Sequence, residues 1–308
     1  MKLPRDWGRY KFSMYHEPVL LEEVLEALDP KSNDDFVDCT LGDAGHTIEI
    51  LKKTAPNGKV FAFELDGKAI GAAKARLEKE GLLKRVKIIN DNFRNLKNHI
   101  NKGVDGILAD LGLRSGQLED GGGGFSFKSD ELLDMRFGNF GRSAAEIVNE
   151  YTKSELEAIF RKYGEERNSR GIAEKIVEVR RKNSIKTTSE LSEIILEFYR
   201  DKFKTKKEIP WVGGIHPATR VFQALRIEAN DELGSLEQLL EDGIDVLSSE
   251  GRMAIISYHS LEDRIVKRFY RTSPHLVIVT KKPIKPSEEE VRKNKRARSA
   301  KLRAAIKK

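Results

Sequence analysis

Gly42-Asp43-Ala44-Gly45-His46 places two glycines, an acid and a histidine in five residues, directly after a short apolar run. Glycine lets a backbone come close to a ligand, and ligands of open α/β sheets sit outside the carboxyl ends of the strands. Glu64 follows Gly45 by 19 residues. That is near the offset of roughly 20 at which an acid ending a second strand receives ribose hydroxyls. Two cofactors share this layout. A dinucleotide site needs G-x-G-x-x-G; here the middle glycine is missing, and Asp43 would repel a pyrophosphate. S-adenosylmethionine has no phosphate and carries a sulfonium cation, so an acidic loop suits it better. A turn without any cofactor is the third reading. The lone cysteine, Cys39, lies in the apolar run and reads as a small buried side chain. One cysteine allows neither an intramolecular disulfide nor a thiolate metal site. No His/Asp/Glu cluster shows metal-ligand spacing, so no metal is expected.

These residues need elements to hold them. Apolar positions from Val19 to Leu28 recur at helical spacing, with Pro18 at the start and Pro30 past the end. The pattern then predicts a strand over 35–41, a helix over 47–53, a strand over 59–65, a helix over 69–80 and a strand over 86–89. A short helix near Asn95 and a strand over 106–111 follow. Further on come a helix over 235–247, a strand over 251–257, a helix from Ser260 with a capping box to Asp263, and a final strand over 276–280. This alternation predicts an α/β fold, a doubly wound and mostly parallel sheet. Residues 143–199 are helical by period, and 204–217 are loop-like. We therefore expect a discontinuous α/β domain over 1–119 and 218–308, with an all-helical insertion over 120–217.

The 308 residues carry a net charge of +7. Residues 281–308 hold twelve Lys or Arg against three Glu, so the excess belongs to the C-terminal stretch. That stretch reads as a solvated end or as an arm that meets phosphates. No window approaches the roughly 18 apolar residues of a membrane span, and the first residues lack a secretory core. A cytoplasmic protein without membrane contact is expected; oligomeric state is not legible.

Several separate blocks resemble the bacterial ribosomal RNA small-subunit methyltransferase H family, also called MraW. They are HEPVLLEEVLEAL from His16, VDCTLGDAGHT from Val37, GILADLGLRSGQLEDGGGGFSF from Gly106, LLDMRF from Leu132 and YGEERNSRGIAEKIV from Tyr163. HPATRVFQALRIEANDEL from His216, GRMAIISYHSLEDRIVKRF from Gly251 and RARSAKLR from Arg296 complete the set. The resemblance implies a class I S-adenosylmethionine-dependent methyltransferase fold with a helical insertion that meets RNA. It implies methyl transfer to the exocyclic N4 of a cytidine in the decoding region of 16S ribosomal RNA, within the small subunit. It places S-adenosylmethionine against Ala44, Gly45, His46, Glu64, Phe93, Asp110 and Gln117. This chain differs from the family's usual pattern in having Ala44 for a glycine, Glu64 for an aspartate and Arg114 for a serine.

The N4 amine is a poor nucleophile, because its lone pair is delocalised into the ring. A carboxylate that accepts from the amine and offsets developing positive charge would help. Asp110, ending the fourth strand, is the candidate catalytic group, either against the amine or against the methionine part of the cofactor. C5 methylation of cytosine needs a cysteine that adds to the ring, and Cys39 lies far in sequence from the fourth-strand loop. Phe125, Phe127 and Tyr258 could stack on an unpaired base or simply pack. His259, Arg136, Arg220 and Arg226 could meet RNA or serve internal pairs.

Overall fold

Val60-Phe-Ala-Phe63 and Val86-Lys-Ile-Ile89 are rich in β-branched and aromatic residues, and Phe36-Val-Asp38 is buried throughout. A computed structural model describes residues 18–101, 103–113, 123–127, 129–138, 140–209, 211–212 and 214–308. Its α/β layer runs α1 (Leu21–Leu28), β1 (Phe36–Asp38), α2 (Gly45–Lys53), β2 (Val60–Phe63), α3 (Gly67–Lys79), β3 (Val86–Ile89), α4 (Leu96–His99) and β4 (Val104–Asp110). The helices α5 (Ala144–Glu150), α6 (Lys153–Lys162), α7 (Ser169–Arg180) and α8 (Thr188–Phe203) follow without a strand among the described residues. The chain then returns through α9 (Thr219–Asn230), α10 (Glu232–Val246), β5 (Leu247–Ser257), α11 (Ser260–Thr272), β6 (Leu276–Ile278), α12 (Glu288–Lys293) and β7 (Lys301–Lys307).

Seven strands form one sheet in the order β3-β2-β1-β4-β5-β7-β6. The pairs from β3 to β5 are parallel, while β7 runs antiparallel to both neighbours. This is the doubly wound, mostly parallel sheet that the alternation predicts. The first crossover reverses between β1 and β4, so the carboxyl ends of β1, β2 and β4 open on one crevice.

The last residues of the basic stretch correct an expectation. Lys301–Lys307 is neither an arm nor an end in solvent but an interior strand, and β6 is not the last strand. Its alternation hides this: Leu302 and Ala304 enter one core layer and Ala305 the other. Arg303 is buried yet paired, its Nε donating to Asp263 Oδ1 at 2.7 Å. That pairing also moves the expected cap. Asp263 serves the strand, and the N-cap of α11 is His259, whose ring accepts from the Glu262 N–H while the Glu262 carboxylate receives the N–H of His259.

The helical segment has its own core, with Ile147, Leu156, Phe160, Ile172, Leu191 and Tyr199 at its centre. Ser143, Thr152 and Thr187 each close a capping box with a Glu three residues on, which starts α5, α6 and α8 in turn. Val221, Phe222, Ala224 and Leu225 of α9 pack into this core. Among the described residues no helix is long and apolar enough to cross a membrane.

Candidate active site

A cleft of about 410 Å³ lies at the carboxyl edge of β1, β2 and β4. Its lining is acidic: Asp43, Glu64, Asp91, Asp110, Glu232 and Glu262 all reach it, against two arginines, Arg226 and Arg296. Such a wall suits a cationic ligand and repels phosphates, so the residues present fit S-adenosylmethionine and not a dinucleotide. On the β2 and β3 side Phe63, Leu65 and Phe93 add apolar surface between these acids.

Gly42, Gly45, His46, Glu64, Phe93 and Asp110 meet in this one cleft. The Glu64 carboxylate accepts from Gly42 N at 3.0 Å with one oxygen, and from Leu65 N and Asp66 N, both at 2.9 Å, with the other. It therefore clasps the loop after β1 to the loop after β2. Ala44 is not on the cleft wall. Its φ is +60°, it precedes the first turn of α2, and its methyl is fully buried among core residues. The extra carbon relative to glycine points away from the cleft and does not narrow it. Gly45 sits so close to Pro18 that a Cβ there would lie 2.6 Å from the proline ring. His46 is buried, and its Nε2–H donates to Val19 O at 3.0 Å. Gln117 and Arg114 lie outside the described residues.

Asp38 and Asp110 end neighbouring strands and share Thr40. The Thr40 N–H donates to Asp38 Oδ1 at 3.0 Å, and its hydroxyl accepts from Asp110 N at 2.7 Å. Asp38 also accepts from the Thr47 hydroxyl at 2.6 Å and is fully buried. Asp110 faces the cleft, and its Oδ1 accepts from the Tyr258 hydroxyl at 2.8 Å. Burial raises the Asp110 carboxyl above the ordinary aspartate range, opposed by the nearby His46 and by the Tyr258 hydrogen bond. Burial, and then the Asp110 carboxylate, push the Tyr258 phenol well above its usual value, so Tyr258 remains a donor. Gly112 makes this contact possible, since a Cβ there would stand 2.7 Å from the Tyr258 ring.

The Tyr258 backbone is held in turn. Glu262 Oε2 accepts from Tyr258 N at 2.8 Å. His259 Nε2 lies 3.1 Å from Glu262 Oε1 but is poorly aimed and makes no sound hydrogen bond. Donor atoms of Glu232, His259 and Glu262 approach within 4.8 Å, a grouping that spacing alone did not reveal. Arg226 already takes both oxygens of Glu232, at 2.8 and 3.0 Å, so a cation of the protein's own occupies that corner. Arg136 is likewise committed, forked on Asp134, and Arg220 lies 3.9 Å from the buried Glu166. Phe125 stacks on Phe137, and Phe127 stacks on His216 and meets Phe222 edge to face, so both aromatics are packing residues.

Cys39 is far from the β4 loop in sequence but not in space. Because β1 pairs with β4, its thiol reaches the cleft wall. It is 2% exposed, and burial together with Asp38 pushes it well above the ordinary thiol value. A thiol held neutral in this way is a poor nucleophile.

Residues 13–308 match the model of the MraW methylase family. The chain is 43% identical to ribosomal RNA small subunit methyltransferase H of Clostridium botulinum (strain Loch Maree / Type A3), over 95% of this chain and 98% of that protein. It is 41% identical to the protein of the same name from Brevibacillus brevis (strain 47 / JCM 6285 / NBRC 100599), over 96% and 98%. Among solved structures, an rRNA methylase from Streptococcus thermophilus aligns over 93% of each chain, with a TM-score of 0.43 and 13% identity.

Proposed function

The chain belongs to the MraW methylase family, and from that premise we propose that it methylates the N4 amine of a cytidine in the decoding region of 16S ribosomal RNA, in the small subunit. It is an S-adenosylmethionine-dependent rRNA methyltransferase by membership. The observation that carries the finer reading is the Asp110 carboxylate, aimed by Tyr258 into the same cleft that Glu64 and Phe93 line.

When bound, S-adenosylmethionine supplies a methyl group on a sulfonium, an electrophile that needs no acid catalyst. Glu64 would receive the ribose hydroxyls, Phe93 would lie against the adenine, and Gly45 and His46 would border the rest of the cofactor. By resemblance Gln117 completes that pocket. Asp110 accepts a hydrogen bond from the N4 amine, which holds the nitrogen in line and leaves its lone pair less committed to the ring. As the new carbon–nitrogen bond forms, positive charge grows on nitrogen beside the carboxylate, and one N4 proton leaves toward it. The target base must be unstacked to reach the cleft. We assign residues 120–217, together with the face of α9 that packs on them, to presenting the RNA. The α/β part, 1–119 with the rest of 218–308, holds the cofactor. The reaction takes place in the cytoplasm, where subunits are assembled.

The test is transfer of a labelled methyl group from S-adenosylmethionine to small subunits that lack the modification. Label in 16S rRNA supports the reading. Binding of S-adenosylmethionine without label in the RNA would overturn the acceptor.

A further inference from the structure

The far end of the helical segment carries a surface that the cleft does not use. Between residues 202 and 211 stand Lys202, Lys204, Lys206 and Lys207 against the single acid Glu208. All four lysines are exposed. Two aromatic side chains are exposed among them, Phe203 at 51% and Trp211 at 67%. A large aromatic left in water is costly, yet these are not loose ends. Phe203 closes α8, and its ring lies 5.8 Å from that of the buried Tyr199. Trp211 is held between the buried Ile209 and Val212, which bridges to Ile215. The backbone thus presents both rings outward from anchored positions.

Hydrogen bonds also tie this end of the segment to α11. Lys202 donates to Asn168, and in the same turn Glu165 accepts from Ser260 and Arg264 at the start of α11. Ser260 follows Tyr258 by two residues. Two short links therefore join the patch to the start of α11, the helix that follows Tyr258.

We propose that this patch binds a single-stranded segment of the RNA substrate, with the lysines against phosphates and Phe203 and Trp211 stacked on unpaired bases. The proposal rests on the reading of the chain as an RNA methyltransferase and extends it to a second contact. Lysine charge alone would fit any polyanion. The outward aromatic faces select a strand whose bases are free to stack, because a duplex keeps its base faces covered.

The test uses the full chain, an unpaired oligoribonucleotide and a duplex of equal length. Trp7 is the other tryptophan, so Trp7→Phe leaves Trp211 as the reporter. We expect the single strand to quench Trp211 emission and to compete better than the duplex. The triple variant Lys204→Glu, Lys206→Glu, Lys207→Glu should lose about tenfold or more in affinity, and its log–log salt slope should flatten by about 2. Trp211→Ala should lose roughly fivefold. S-adenosylmethionine affinity should stay unchanged in all of them. A triple variant that binds RNA with wild-type affinity and slope while still methylating subunits would overturn the patch and leave the methyltransferase reading standing. Equal binding of duplex with unquenched Trp211 would overturn the stacking. A wild-type chain that binds no RNA would overturn both readings.

Discussion

Glu64 and Asp110 end strands of one sheet with β1 between them, yet their surroundings are assembled over very different stretches of chain. Glu64 accepts from the backbone of Gly42, Leu65 and Asp66, all within 22 residues of it. Asp110 depends on Tyr258, 148 residues away, and that tyrosine on Glu262. The wall at Glu64 is a local product of strand–turn–helix geometry. The wall at Asp110 exists only once the helical segment has been passed and β5 has docked beside β4. A ligand that binds the first wall can be held by a small part of the chain, whereas chemistry at the second needs the whole of it.

The largest expected effect comes from breaking the second wall at its base. Truncation after Ala300 removes β7, an interior strand paired on both sides, and leaves Asp263 near the sheet without Arg303. We expect loss of the folded state, seen as loss of cooperative thermal unfolding. A folded truncation product would contradict the placement of β7. Asp110→Asn keeps the shape and removes the charge. Methyl transfer should fall on the order of 10²- to 10³-fold, the usual result of removing one group that stabilises developing charge. S-adenosylmethionine affinity, read by calorimetry, should change far less.

Breaking the first wall should reverse that pattern. Glu64→Ala strips the acceptor from three backbone N–H groups, a penalty of about 1–3 kcal/mol where they stay buried. Weaker cofactor binding and a lower melting temperature should appear together, with the transfer rate at saturating cofactor reduced less than in Asp110→Asn. The smallest effect sharpens the comparison. Tyr258→Phe removes one hydrogen bond, worth about 0.5–1.5 kcal/mol, so the transfer rate should fall severalfold. Burial raises the Asp110 carboxyl and the Tyr258 hydrogen bond lowers it. On the role we propose for Asp110 the active form is the carboxylate, so activity should be lost as pH falls through the folded value. Without Tyr258 that value rises, and the acidic limb of the pH–rate profile should move to higher pH. An unmoved limb would mean that Tyr258 only fills space.

The same contrast in reach explains what the sequence disclosed. The loop 42–46, Glu64 and the strands around them follow from local patterning, because strand period, turn glycines and acid offset all lie within one crossover. Tyr258 entered only as a stacking candidate, since nothing in its spacing points to Asp110. β7 was hidden because Lys301, Arg303 and Lys307 make a strand look like a basic end, and only the Asp263 pair explains how Arg303 is tolerated inside. The cap of α11 shifted by one residue because a histidine ring took the role that Ser260 would ordinarily fill. Helix α9 was obscured by its position after the loop-like residues 204–217, and its packing on the helical core comes from tertiary contacts.

We propose that Asp110 activates an exocyclic amine and that Cys39 adds to no ring. Digestion of rRNA from small subunits methylated by the purified protein, followed by mass spectrometry of the nucleosides against standards, tests it most directly. We expect N4-methylcytidine, present with wild-type protein and nearly absent with Asp110→Asn. Finding 5-methylcytidine, or equal N4-methylcytidine from both proteins, would contradict it.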